Sequence, residues 1–354
     1  MLQPQRGVKA SFLLVPLLAS FAACGGAISE DSSSSAPDQG DTSYFEDGKL
    51  DSVPSASKLD TLSSVGDDAA VPLAEISGLA LRRSEVGAEL LAVGDAEWVV
   101  AVAALSADAD ASDLAFARHD VSALFASSGT SPSQWEAIDV DAEGKVFVLE
   151  EQPGAVHVLA RGLDERLHTF EFDLSGGEGW LEDLADDWDQ EPNSRGEGLV
   201  LGLGGHLLVL KEKKPSLIVE FGPAGDPPLG YWRDDHELRS SLPFPLPSGD
   251  TSRVVPLAVW QFRGKVRDLL PDMSDLAVGP DGFLYVVSGE ARVLARIDGD
   301  LDPDDDSKLS VDVAWKVPKR AQNPEGLVVL GSKDFFVASD QGTGDTLFRL
   351  VADD

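Results

Sequence analysis

The chain has 354 residues, 43% hydrophobic and 25% charged, with a formal net charge of −34 and a pI near 4.3. That excess of acid excludes a nucleic-acid partner, because a polyanion is repelled and no basic stripe offsets the repulsion. It leaves cations, cationic ligands or simple solubility as its use, and the single cysteine excludes an intrachain disulfide.

The first element in chain order is an export signal over residues 1–23. Arg6 and Lys9 supply a positive start, and Ser11 to Ala23 form a short apolar stretch ending in small residues. That stretch is too short to span a bilayer comfortably. Phe21-Ala22-Ala23-Cys24 resembles a bacterial lipobox, in which the cysteine is acylated and becomes the new N-terminus; Phe21 departs from the usual Leu or Val. Ordinary signal cleavage nearby, with Cys24 an incidental thiol, is the alternative. Residues 24–57 are rich in Ser, Asp and Gly and poor in apolar runs, so they do not repay their ordering entropy and read as an acidic tether.

From residue 58 onward the sequence repeats. EISGL from Glu75 returns as QWEAI from Gln134, RGEGL from Arg195, DMSDL from Asp272 and NPEGL from Asn323. Their fourth positions, Gly78, Ala137, Gly198, Asp275 and Gly326, lie 59, 61, 77 and 51 residues apart, a period that belongs to propellers and solenoids. Each copy leads into further runs of β character. Second runs begin at 90, 146, 206, 283 and 335, third runs at 98, 155, 216, 292 and 346, and fourth runs at 114, 168, 254 and 311. Gly, Pro, Asp and Asn turn signals separate them, as in DAEG from 141 and GPDG from 279. Residues 106–127 and 178–190 are the only helical candidates. The expected fold over 58–354 is therefore an all-β, five-bladed β-propeller of four-stranded antiparallel blades. KLDTLSSV from Lys58 is expected to supply the strand that the last repeat lacks, closing two open sheet edges. The long third interval leaves room for a sixth blade around 225–262, although its prolines favour a long insertion within one blade.

Acids occupy position one of the motif in Glu75 and Asp272 and position three in Glu136, Glu197 and Glu325. Side chains alternate along a strand, so positions one and three are expected on one face, and the five carboxylates are expected to converge on the channel. Two carboxylates about 6 Å apart at an effective dielectric of about 20 repel by roughly 3 kcal/mol. Protonation or a hard cation relieves this, and oxygen-only donors suit calcium. The competing expectation is that the acids cap turns or pair with Arg195 and nearby lysines in a hydrated channel. A second acid after each second strand, Asp95, Glu150, Glu212, Glu290 and Asp340, reads as a turn residue in preference to a second ring. DGDLDPDDD from Asp298 fails as an EF-hand loop, with Pro303 where Gly is needed and Leu309 where Glu is needed. KEKKP from Lys211 reads as an exposed strand end, with an anion-holding basic spot as the alternative. The five histidines stand singly and read as structural.

The repeated motifs, with KEKKP and the ASDQG from Ala338, resemble the SdiA-regulated family and the neighbouring esterase-like phytase group, over roughly residues 58–354. The resemblance implies a five-bladed propeller distantly like NHL-repeat proteins, with calcium at an acidic site; it implies no biochemical activity. Ala137 and Asp275 depart from the expected glycine, and Gln134 from an acid. The expected function is thus a lipid-anchored, extracytoplasmic module of the cell envelope. It binds calcium through Glu75, Glu136, Glu197, Asp272 and Glu325 and presents a face to a protein or small-molecule ligand. The alternative is a calcium-dependent phosphoester hydrolase in which Glu136, Glu197 and Glu325 act as ligands or base and Arg195 or Lys211 steadies the anion. No nucleophile–base pair, P-loop or dinucleotide fingerprint stands out in its favour.

Overall fold

The computed structural model describes residues 54–353 except 85–86, 126–131, 176–178, 191–193, 305–308 and 342–343. The export segment, Cys24 and all but the end of the tether lie outside the described residues.

Among the described residues, twenty strands fall into meanders that each begin at a copy of the motif. The first holds β2 (Ile76–Ser84), β3 (Gly87–Gly94), β4 (Val99–Leu105) and β5 (Ala117–Asp120). The second holds β6 (Trp135–Val140), β7 (Val146–Glu150), β8 (Ala155–Leu159) and β9 (Arg166–Phe172). The third runs β10 (Gly198–Leu201), β11 (Leu207–Lys211), β12 (Leu217–Gly222) and β13 (Thr251–Gln261). The fourth is β14 (Asp275–Val278), β15 (Leu284–Ser288), β16 (Val293–Asp298) and β17 (Ser310–Lys316). The last comprises β18 (Pro324–Gly331), β19 (Asp334–Ser339) and β20 (Leu347–Val351), completed by β1 (Ser63–Ser64) pairing antiparallel with β20. The N-terminal strand therefore closes the C-terminal sheet, as the missing fourth run requires. The second and third meanders fuse into one eight-stranded sheet, because β13 pairs parallel with β9 from Thr251 to Val254.

The strand that opens each meander lies innermost. β2 packs on β6, β6 on β10, β10 on β14, β14 on β18 and β18 back on β2, giving a propeller-like ring. Position four of the motif makes this approach close. A Cβ on Gly198 would stand 2.7 Å from the Leu276 nitrogen of β14, and one on Gly326 3.1 Å from the Leu79 nitrogen of β2. The glycine is therefore a seat for the next inner strand, a backbone approach that a side chain would obstruct. Asp275 takes the same place in β14 by another means. Its carboxylate accepts from the Leu327 amide of β18 at 2.6 Å and from Leu276 at 2.7 Å. Asp139 ties β6 to β10 in the same manner, accepting from Leu201 at 2.9 Å and Val140 at 2.7 Å.

The core lies between sheets and is aliphatic and aromatic, with Trp135, Phe147, Phe335, Phe336 and Phe348 essentially inaccessible. α1 (Trp180–Gln190) matches the helical period of 178–190, and its buried Leu184 and Trp188 face Phe172 and Phe221. Residues 106–127, the other helical candidate, instead hold β5 between two single 3-10 turns at 111–113 and 122–125. Asp110 and Asp120 cap those turns by accepting from Ser112 and Ser122, so local side-chain bonds outweigh the apolar spacing. The stretch around 225–262 is one insertion carrying the short helix α2 (His236–Ser241) and ending in β13, with no further meander. A third helix, α3 (Gly264–Leu269), follows β13.

Candidate functional site at the carboxylate end of the inner strands

Each motif lies where an inner strand begins. Glu75 and Gln134, at position one, are not part of a strand. Both hold left-handed backbone, with φ of 53° and 54°. In β6 the partner register passes from Trp135–Glu150 to Ala137–Leu149, leaving Glu136 unpaired on a bulge. Ser77 in β2 and Glu325 in β18 are bypassed in the same way. A bulge re-aims its extra side chain, so the expectation that positions one and three share a face by simple alternation is incorrect. Position three brings together Ser77, Glu136, Glu197, Ser274 and Glu325 in ring order.

The electrostatics bear this grouping out. Burial pushes the Glu136 carboxyl up to about 8, with Glu151 and Asp95 adding to the rise and a hydrogen bond to Ser77 opposing it. Glu197 is raised well above the carboxylate range by burial, then by Glu136, Glu212, Glu151 and Glu325. Glu325 is raised by burial and by Glu136, against a hydrogen bond from Ser274; its Oε1 also accepts from Asn323 Nδ2 at 2.5 Å. The cause is shared: desolvation and the neighbouring carboxylates both disfavour the charged form of each glutamate.

The two position-one acids reach that group less directly: Asp272 adds to the rise at Glu325, and Glu75 acts on Asp95, which in turn raises Glu136. Glu75 faces Asp95, whose carboxyl burial and the Glu75 charge raise to about 6, with Asp340 adding a smaller rise. Asp272 is bound into its own meander, accepting from Ser288 Oγ at 2.5 Å and the Glu290 amide at 2.8 Å.

The acids after the second strands divide as well. Asp95, Glu212 and Asp340 belong to this end, whereas Glu150 turns to His157 at 2.7 Å. Glu151, one residue further on, takes Glu150's place: burial raises it to about 7, and it accepts from the Arg195 amide at 3.2 Å. Sequence spacing misses Glu151 because two adjacent glutamates end β7 and only the register tells them apart. These strand ends also staple the sheets together, through Gln134 N–H to the Asp95 carbonyl at 2.7 Å and Met273 N–H to the Glu212 carbonyl at 3.2 Å.

KEKKP is exposed in part, at Lys214 and less so at Lys213. Lys211 is fully buried with Nζ donating to the Lys213 carbonyl, and Lys213 pairs with Glu212 at 2.6 Å. Arg195 directs Nε to the Trp188 carbonyl at 2.9 Å. His157, His168 and His206 are buried and hydrogen-bonded, as structural histidines should be.

The donor set is oxygen only and chemically suits a hard cation. Its positions are not those of a bound ion: among the described residues, no group of three or more His, Cys, Asp or Glu is arranged to hold a metal.

The opposite end of the same strands is different in kind. Residues 79–83, 138–142, 199–204, 276–280 and 327–330 line a cavity of about 780 Å³, with the insertion from His236 to Pro245 along its wall.

No family model matches the chain, and no curated protein matches it. Solved structures with a related trace are β-propeller-like. A glutaminyl cyclase from Myxococcus xanthus is 14% identical, over 83% of this chain and 98% of its own, with a TM-score of 0.45. A PQQ-bound aldose sugar dehydrogenase from Streptomyces coelicolor is 12% identical, over 82% and 98%, with a TM-score of 0.43. A virginiamycin B lyase from Staphylococcus aureus is 9% identical, over 81% and 74%, with a TM-score of 0.36.

Proposed function

We propose that the protein is a binding module: a five-bladed propeller, held at the extracytoplasmic side of a membrane through acylated Cys24, whose carboxylate end takes calcium and presents a face to a ligand. The convergence of Glu136, Glu197 and Glu325, in which Glu136 raises both of the others, carries this reading. A divalent cation supplies the counter-charge that carboxyls held so close lack, and it binds their ionised form. The ring of inner strands and the closing strand β1 support the five-blade count. The likeness to the SdiA-regulated family rests on the motifs and agrees with an acidic calcium site.

Thermal melts in chelator and in excess calcium test the cation. At 100 times the dissociation constant, calcium adds about 2.7 kcal/mol. The gain is expected to be larger at pH 8.5 than at pH 5, where protons compete. Equal melting temperatures with and without calcium at both pH values would refute the site. Phosphomonoester hydrolysis that needs calcium and is lost in Glu197→Gln would replace a binding module with an enzyme.

A further inference from the structure

The cavity at the far end has the makings of a second site, independent of the carboxylates. Aliphatic side chains from all five inner strands line it, among them Leu79, Ile138, Leu199, Leu276 and Leu327, and its size is that of a small-molecule pocket. The charges on its wall are unequal in freedom. Asp139 and Asp141 are both engaged, the first by the Leu201 and Val140 amides and the second by Lys145 and the Phe244 amide. The cations are engaged less completely. Arg83 lines the cavity and is exposed. Arg239 lies one turn from His236 on α2, so both share one face.

Only 8% of the Arg239 side chain is exposed. Its guanidinium stacks on Tyr231 at 3.9 Å, and Nη2 donates to the Trp232 carbonyl at 2.7 Å, with Asp235 4.0 Å away. Nε and Nη1 are buried without any acceptor. Unmet donors on a buried cation are costly, and an anion seated beside α2 would supply the acceptor they lack. All the exposed large hydrophobics among the described residues, Leu229, Trp232, Leu238 and Leu242, fall on this same roof segment. A roof that is apolar outside and basic inside is suited to a molecule with the same two-part character.

We propose that the cavity binds an anionic amphiphile, a saturated acyl chain with a carboxylate head. The chain lies among the inner-strand aliphatics and the head lies against Arg239, with Arg83 beside it.

Calorimetric titration of the whole protein in chelator, with decanoate, decanol and acetate in turn, tests this without involving the carboxylate end. Decanoate is expected to bind at least 10-fold more tightly than decanol, and acetate not measurably. Arg239→Gln should bring decanoate down to the affinity of decanol and leave decanol unchanged. Arg83→Gln should weaken decanoate by a smaller factor, and it decides the matter if Arg239→Gln does not fold. No binding of decanoate, equal binding of decanoate and decanol, or unaltered decanoate binding in a folded Arg239→Gln protein would each overturn the proposal. Failure of the calcium melts leaves it untouched, and its own failure leaves calcium untouched.

Discussion

The five inner strands start in one chemistry and finish in another. At their beginnings, bulges re-aim Glu136 and Glu325, which gather with Glu197 just ahead of β10. A few residues on, regular pairing returns, and the same strands offer Leu, Ile and Val to a roomy cavity. Irregular backbone concentrates polar groups because it leaves side chains and amides free to be re-aimed, whereas regular strands between sheets are filled by aliphatic packing. Position four holds the two ends together, since it is where neighbouring inner strands touch.

Breaking that contact should have the largest effect. Gly198→Val places side-chain atoms against the Leu276 nitrogen, 2.7 Å from the new Cβ, and backbone of the next inner strand cannot yield as a flexible side chain would. Destabilisation of about 3 kcal/mol or more is expected in urea melts, with calcium response and decanoate binding lost together. Retention of either at full strength would show the two ends to be mechanically independent. Asp275→Ala strikes the same contact from the side chain. It leaves the Leu327 and Leu276 amides without their acceptor, at about 1–3 kcal/mol. Asp275→Asn should recover part of this, because its amide oxygen still accepts.

The strand layout was legible in the sequence because hydrophobic runs and turn residues are local signals, and the closing strand followed from a deficit in the last repeat. The site was legible only in part. Glu136, Glu197 and Glu325 were found because position three keeps its place in the repeat. The bulges that carry Glu136 and Glu325 were not, because a bulge is a mismatch between two strands and leaves no mark on one of them. Asp275 looked like a faulty glycine, and its bond to Leu327 spans 52 residues. Arg239 and His236 sit in a proline-rich insertion with no repeat to compare them against.

Acidity separates the ends next. The folded protein holds protons on Asp95 to about 6, Glu151 to about 7 and Glu136 to about 8, all above their unfolded values. As pH rises from about 4.5 the unfolded chain ionises first, so the folded state binds more protons and stability falls until about 8. Urea midpoints in chelator should therefore decrease from pH 5 to pH 8. Joint replacement of Glu136, Glu197 and Glu325 by Gln should flatten the decline, and Arg239→Gln at the cavity end should leave its slope unchanged. Rising midpoints over that range would mean that the glutamates already have cationic partners.

The smallest expected effect asks why position one carries an acid at all. Glu75 and Gln134 hold nearly the same left-handed conformation, which costs a non-glycine residue roughly 1 kcal/mol. Their carbonyls do the same work, accepting from the Asp95 amide at 3.1 Å and the Glu151 amide at 3.0 Å. Glu75→Gly and Gln134→Gly thus relieve similar strain, offset by glycine's greater freedom in the unfolded chain, so each should change stability by less than about 1 kcal/mol. Only Glu75→Gly also removes a charge and a hydrogen bond beside Asp95, both of which raise that carboxyl. Carboxyl titration followed by NMR should show Asp95 moving down in Glu75→Gly and staying in place in Gln134→Gly. If Asp95 moves equally in both, the backbone turn governs it. If calcium stabilisation is lost in Glu75→Gly alone, position one belongs with the three glutamates after all, and the carboxylate end is one five-membered site.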